Sequence, residues 1–188
     1  MRLVLMLPLL LLLAACTTVE VDDEGKPLDR KLSEDLVLDT DGRIVARPTR
    51  LIAPHTVIIN GGTPTEREIR LLGVEGLPEK EAPATFARCQ EWMRKYLAEE
   101  QELFVKPALD SDLGAGVIYG IVYVQARDEE TGQVIAGGYV NANMAMLSEG
   151  LVRIRDAKEF QDERLRARMK DVEAEAKREK RGLWGEAK

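Results

Sequence analysis

Two apolar runs, LIAPHTVIIN (51–60) and REIRLLGV (67–74), stand either side of a break made by Gly61-Gly62 and Pro64. Short runs rich in Ile, Val and Leu, bounded by glycine and proline, read as strands joined by a turn. PATFARCQEWMRKYLAEE then places Phe86, Cys89, Met93, Tyr96 and Leu97 at helical spacing, with Pro83 near its start. Two more strands follow, ELFVKP and VIYGIVYVQAR, and Asp128–Gly132 makes a polar hairpin tip before QVIAGGYV. Asn141 suits the N-cap of a short helix carrying Met144 and Leu147, and Gly150 suits its C-terminal turn. A last helix is expected from about Phe160 to Arg181. Leu165, Met169, Val172 and Ala176 form its apolar stripe, and Asp162/Arg166 and Glu173/Lys177 are spaced for pairing. From Arg50 onward the chain is therefore strand-rich, then helical.

The N-terminus follows different rules. Leu3–Ala15 is an apolar run of thirteen residues behind Arg2. A membrane-spanning helix needs about 20, so the run reads as the core of a secretory signal peptide. Leu13-Ala14-Ala15-Cys16 resembles the bacterial lipobox, in which the cysteine becomes the lipidated first residue of the mature chain. That resemblance implies a protein anchored in a bacterial cell envelope by acyl chains on Cys16, since several chains hold where one does not. Thr17 points to the outer membrane if the cell is Gram-negative. With Cys16 acylated, Cys89 has no partner for a disulfide; on its helical stripe it reads as a small buried hydrophobe.

Charge separates the remaining parts. The chain carries 27 basic and 33 acidic residues, net −6. Residues 17–49 hold nine acidic and five basic side chains, net −4, and residues 50–188 hold 24 and 21, net −3. The first half of that N-terminal stretch has too few large apolar residues to pack and reads as a tether. Leu36-Val37-Leu38 and Ile44-Val45 flank Asp39-Thr40-Asp41-Gly42, a small hairpin rather than a calcium loop, because the further ligands and terminal Glu are missing. The expected organisation is a signal peptide at 1–15, a lipidated tether and hairpin at 16–49, and a folded domain at 50–188. An acidic balance disfavours nucleic acid and favours an envelope protein or a small ligand as partner.

Three stretches, in order, resemble one family. IRLLGVEGLPE is similar to the Arg-Leu-Leu-Gly-Ile-Asp-x-Pro-Glu signature of the staphylococcal nuclease-like (thermonuclease) domain. GYVNANMAMLSEGLVRI resembles its Val-Asn-x-x-Leu-Val-x-x-Gly-Leu helix, and EAEAKREKRGLWG its Arg-Gly-Leu-Trp ending. The resemblance covers Arg50 to Gly185, 136 of 188 residues. It implies an α+β fold, a five-stranded OB-type barrel with three helices, whose terminal Trp, here Trp184, packs the C-terminus against the barrel.

The resemblance also implies a chemistry: phosphodiester cleavage with a calcium ion, a carboxylate acting on water, and two arginines on the phosphate. Arg70 matches the first arginine, Glu79 the general base, and Glu75 an aspartate metal ligand. Glu75-Gly76-Leu77-Pro78-Glu79 is one residue longer than the family's spacing, and a misplacement of about 1 Å can cost about a hundredfold in rate. The Asp-Gly-Asp-Thr turn that brings another ligand corresponds to Ala53-Pro54-His55-Thr56, which has no carboxylate. Val117 stands where the second arginine belongs, and losing one such donor typically costs ~10²–10³ in rate. His55, the sole histidine, has two readings. It is a zinc ligand beside Glu75 and Glu79, or a turn residue facing solvent, and the second is preferred because nothing in the spacing demands a metal.

Two functions follow. One is a lipid-anchored, non-catalytic binding module that needs no cofactor. The other is a metal-dependent phosphodiesterase or nuclease acting on nucleic acid outside the cytoplasm, with Arg70 and Glu79 catalytic, Glu75 on the metal, and calcium as that metal if the nuclease site is retained. The departures at His55 and Val117 favour the first.

Overall fold

The computed structural model describes residues 36–97, 101–109, 111–128, 130–155 and 162–185. The apolar leader, Cys16 and the first half of the tether lie outside them. In chain order the elements are β1 (Ile44–Ala46), β2 (Pro48–Ala53), β3 (Thr56–Ile59), β4 (Arg67–Leu71), β5 (Val74–Glu75) and α1 (Pro83–Tyr96). They continue with β6 (Leu103–Pro107), β7 (Val117–Arg127), β8 (Val134–Asn141), α2 (Ala142–Ser148), β9 (Arg153–Ile154) and α3 (Glu163–Arg178), then a 3-10 turn at Gly182–Trp184.

The main sheet runs β1-β6-β7-β4-β3-β2, with β8 added to the far part of β7. Its two end strands are one stretch of chain broken at Arg47. The first part pairs with β6 (Ile44↔Val105), and the second with β3 (Leu51↔Val57). The sheet therefore curls back on itself as the expected OB-type barrel. β7 is long enough to serve three neighbours. It lies parallel to β4 at Glu68–Leu71, antiparallel to β6 at Phe104–Pro107, and antiparallel to β8 beyond Tyr123.

The barrel begins earlier than residue 50, which falls inside β2. Ile44 is fully buried, and Leu36 joins the same core. The hairpin before them forms as expected. Leu38 bridges Ile44, and the Asp39 carboxylate accepts the backbone N–H groups of Asp41 and Arg43 and the Arg43 Nε–H. That leaves Asp39 as a turn-former.

In α1, Cys89 and Met93 are buried as the spacing predicts, but so is Trp92, while Phe86 is only half-buried. Trp92 donates to the Glu149 carboxylate at 3.0 Å, and that partner draws its ring inward. The last helix starts at Glu163 rather than Phe160, because Asp162 caps it by accepting the Leu165 N–H at 2.9 Å. It ends three residues early, just before Lys180 turns to φ +53°. Glu173 and Lys177 pair at 2.5 Å.

Trp184 is half-buried. It lies beside α3 with the Lys177 ammonium 4.4 Å from its ring centre. The chain end is also fastened by backbone. Gly150, at φ +65°, lies so close to the Arg181 carbonyl that a Cβ there would sit 2.2 Å away, and a Cβ on Gly182 would sit 2.3 Å from the Gly150 oxygen. The Leu183 N–H donates to that Gly150 oxygen at 2.9 Å. Only glycine at both positions permits the contact.

α2 is capped by Asn141, whose side chain accepts the Met144 N–H at 3.0 Å. Two residues on, Asn143 is fully buried. Its carbonyl oxygen accepts the Val122 N–H at 3.0 Å, and its amide donates to the Leu72 carbonyl at 2.9 Å. Both backbone groups are left over where β4 parts from β7. Replacing Asn143 with Ala orphans one buried donor and one buried acceptor, each costing about 1–3 kcal/mol. Asn143→Ala is expected to lower stability by about 3 kcal/mol, read as a drop in urea midpoint at unchanged slope. A loss under about 1 kcal/mol would contradict this account.

Candidate functional site

The β2–β3 turn places Pro54 and His55 over the end of β4, where the Leu71 N–H donates to the His55 carbonyl at 2.9 Å. Along β4, alternation puts Ile69 and Leu71 into the core and Glu68 and Arg70 on the other face. The parallel register then sets Arg70 beside Tyr119 of β7. Arg70 donates from Nε to Glu68 at 2.7 Å and from Nη1 to the Tyr119 hydroxyl at 3.1 Å. Val117, where a second arginine was expected by resemblance, opens β7 opposite Glu68.

The small β5–β9 sheet forms the other wall. Glu75 pairs with Arg153 in register, and the Arg153 Nε–H donates to its carboxylate at 2.7 Å. Past the end of β9, the Arg155 N–H donates to the Gly73 carbonyl at 3.0 Å. Its guanidinium reaches 5.9 Å from the Tyr119 ring centre, with that of Arg70 at 5.8 Å from the same point.

Gly76 closes the site. A Cβ there would lie 2.3 Å from the Pro54 Cβ, so only glycine lets the loop lie against the turn. Its N–H donates to His55 Nδ1 at 3.2 Å. Nδ1 is therefore the unprotonated nitrogen, and the neutral ring carries its hydrogen on Nε2. Neither nitrogen has a lone pair left for a cation. His55 is also no solvent-facing residue, being half-buried beneath this loop. Glu79 stands exposed in the turn that follows Pro78. Among the described residues, no three His, Cys, Asp or Glu side chains come close enough together to hold a metal ion. The donor set thus does not fit the calcium site that the resemblance implies.

Electrostatics agree with the hydrogen bonds. Burial pushes the His55 pKa below its ordinary 6.5, the charges of Arg70 and Arg155 push it further, and Glu75 and Glu68 oppose them. Behind the turn, burial and then the Glu149 charge raise the Cys89 thiol to about 12. It stays a thiol and donates to the Pro54 carbonyl at 3.3 Å.

The profile of the staphylococcal nuclease homologue family matches residues 68–186. The chain belongs to that family. No curated protein matches it. Of the residues singled out from sequence, the fold brings His55, Arg70 and Glu75 to one end of the barrel. Tyr119, Glu68, Arg153 and Arg155 join them there. The REIR alternation was the one signal for Glu68, while the other three depend on pairings distant in sequence.

A depressed histidine pKa has a definite sign. The unfolded chain takes up the proton first, so the stability contributed by neutral His55 is present above about pH 6.5. It is lost as pH falls through the folded-state value. The single imidazole should titrate below 6.5 by NMR. His55→Gln should remove part of the fall in urea midpoint between pH 7 and 5. Titration at or above 6.5 would sink the assignment.

Proposed function

We propose that this chain is a non-catalytic binding module on a nuclease fold, held at a bacterial cell envelope by acyl chains on Cys16. The observation that carries the first half is the hydrogen bond from Gly76 to His55 Nδ1. It occupies the lone pair a metal would need, at the position where resemblance places a carboxylate ligand. Two further features support the same reading. Arg153 neutralises Glu75, a second ligand position, and Val117 presents no donor at the second arginine's place. Hydrolysis without cation or second guanidinium lacks the charge stabilisation such a transition state requires. Binding requires much less. The −3 balance of residues 50–188 favours a protein or a small ligand over a long polyanion. The lipobox-like Leu13–Cys16 carries the anchoring half.

Incubating the full chain with single-stranded and duplex DNA and RNA in calcium, zinc or EDTA should give no metal-dependent cleavage. Cleavage that EDTA and Glu79→Gln both abolish would establish the nuclease instead. For the anchor, Cys16→Ser should move the protein from the membrane fraction to the soluble fraction; a variant that stays with the membrane would refute it.

A further inference from the structure

We propose that a cleft between α1 and the turn after α2 binds a small apolar amino acid as its zwitterion. The cleft shares no residue with the site at the barrel end, so it stands whether that site binds or cleaves. Helical spacing builds one wall. Arg88, Trp92 and Lys95 recur every three or four positions along α1, with Glu91 and Tyr96 beside them, so all five line the same side. Glu149 and Leu151, in the turn that follows α2, supply the other wall. The space between is about 200 Å³. Pockets for drug-sized ligands run to roughly 300–1,000 Å³, so the cleft suits a compound of amino-acid size rather than a nucleotide.

The apolar part of such a ligand has a surface to lie on. The Trp92 and Tyr96 rings stand 4.5 Å apart, centre to centre, and Leu151 lines the cleft with them. A short aliphatic side chain laid there leaves water for an aromatic and aliphatic wall. The charges are balanced, with Arg88 and Lys95 against Glu91 and Glu149. Their spacing on α1 would let Glu91 pair with either cation, yet among the described residues neither Arg88 nor Glu91 forms a salt bridge or a side-chain hydrogen bond. Lys95 lies 5.1 Å from the Tyr96 ring centre. That leaves the Arg88 fork for a carboxylate, which its planar donors match. Glu149 is held in place, because its carboxylate accepts the Trp92 Nε1–H at 3.0 Å. A carboxylate has about four acceptor sites, so Glu149 keeps its indole bond and still takes an ammonium. A ligand of one sign would meet a like charge across a narrow cleft, whereas a zwitterion meets an opposite charge at each end.

Calorimetric titration of the full chain with L-leucine tests this, beside two analogues that each lack one charge, isoamylamine and isocaproate. Leucine should bind with a dissociation constant of roughly 1 mM or tighter, and each analogue at least about tenfold more weakly. Arg88→Gln and Glu149→Gln should each weaken leucine binding by about tenfold. The second variant keeps an acceptor for the Trp92 indole, and urea midpoints verify that both fold. Arg94→Gln, on the same helix but outside the cleft, should change binding less than about twofold. The indole N–H of Trp92 reports where leucine sits. Its NMR signal, told from that of the other tryptophan by Trp184→Phe, should move during the titration. The proposal falls if leucine does not bind, if either analogue binds as tightly as leucine, or if the Trp92 signal stays still while heat is released. It falls equally if Arg88→Gln or Glu149→Gln binds leucine as tightly as the parent.

Discussion

The buried amide of Asn143 is where the two halves of the domain depend on each other. β4 runs beside β7 as far as Leu71 and Gly120 and then departs, leaving backbone groups that no strand can reach. Asn143 meets them from α2, on the Val122 N–H and the Leu72 carbonyl. Because β4 is free to leave, the chain can turn at Gly73, pair β5 with β9 and start α1. Every wall of the candidate site follows from that departure. A sheet that kept β4 paired with β7 throughout would place neither Glu75 nor Arg155 near the β2–β3 turn.

The site exchanges one kind of electrostatics for another. The resemblance implies carboxylates around a cation, with anions bound through it. Here a neutral imidazole stands where the resemblance implies a ligand, its acceptor nitrogen used by Gly76. Glu75 faces an arginine instead of a metal. Burial is the first reason that the His55 pKa falls, and the charges of Arg70 and Arg155 add to it.

Periodicity made most elements legible. The strand runs, the α1 stripe, the Asn141 cap and the turn at Gly150 all express local spacing, which one sequence displays directly. Ile44-Val45 of β1 was readable as a hairpin strand, but its pairing with β6 was not, because that partner lies about sixty positions on. Trp92 was overlooked because its burial depends on Glu149, from another helix end. The same limit governs the site. Arg70 and Glu75 were readable from motif positions, whereas Arg155 and Tyr119 meet only through the β5–β9 and β4–β7 pairings. No spacing along the chain encodes those.

The Gly150–Gly182 contact has a bearing on how this domain is made. A closing bond between residue 150 and the 181–183 backbone cannot form until the last turn of the domain has been made. Until then α2 lacks the strand of backbone that seals its C-terminal end, and α3 has nothing to stop against. The barrel strands all precede it in the chain. The contact therefore ties the completion of α2 and α3 to a stretch of chain that follows every strand of the domain.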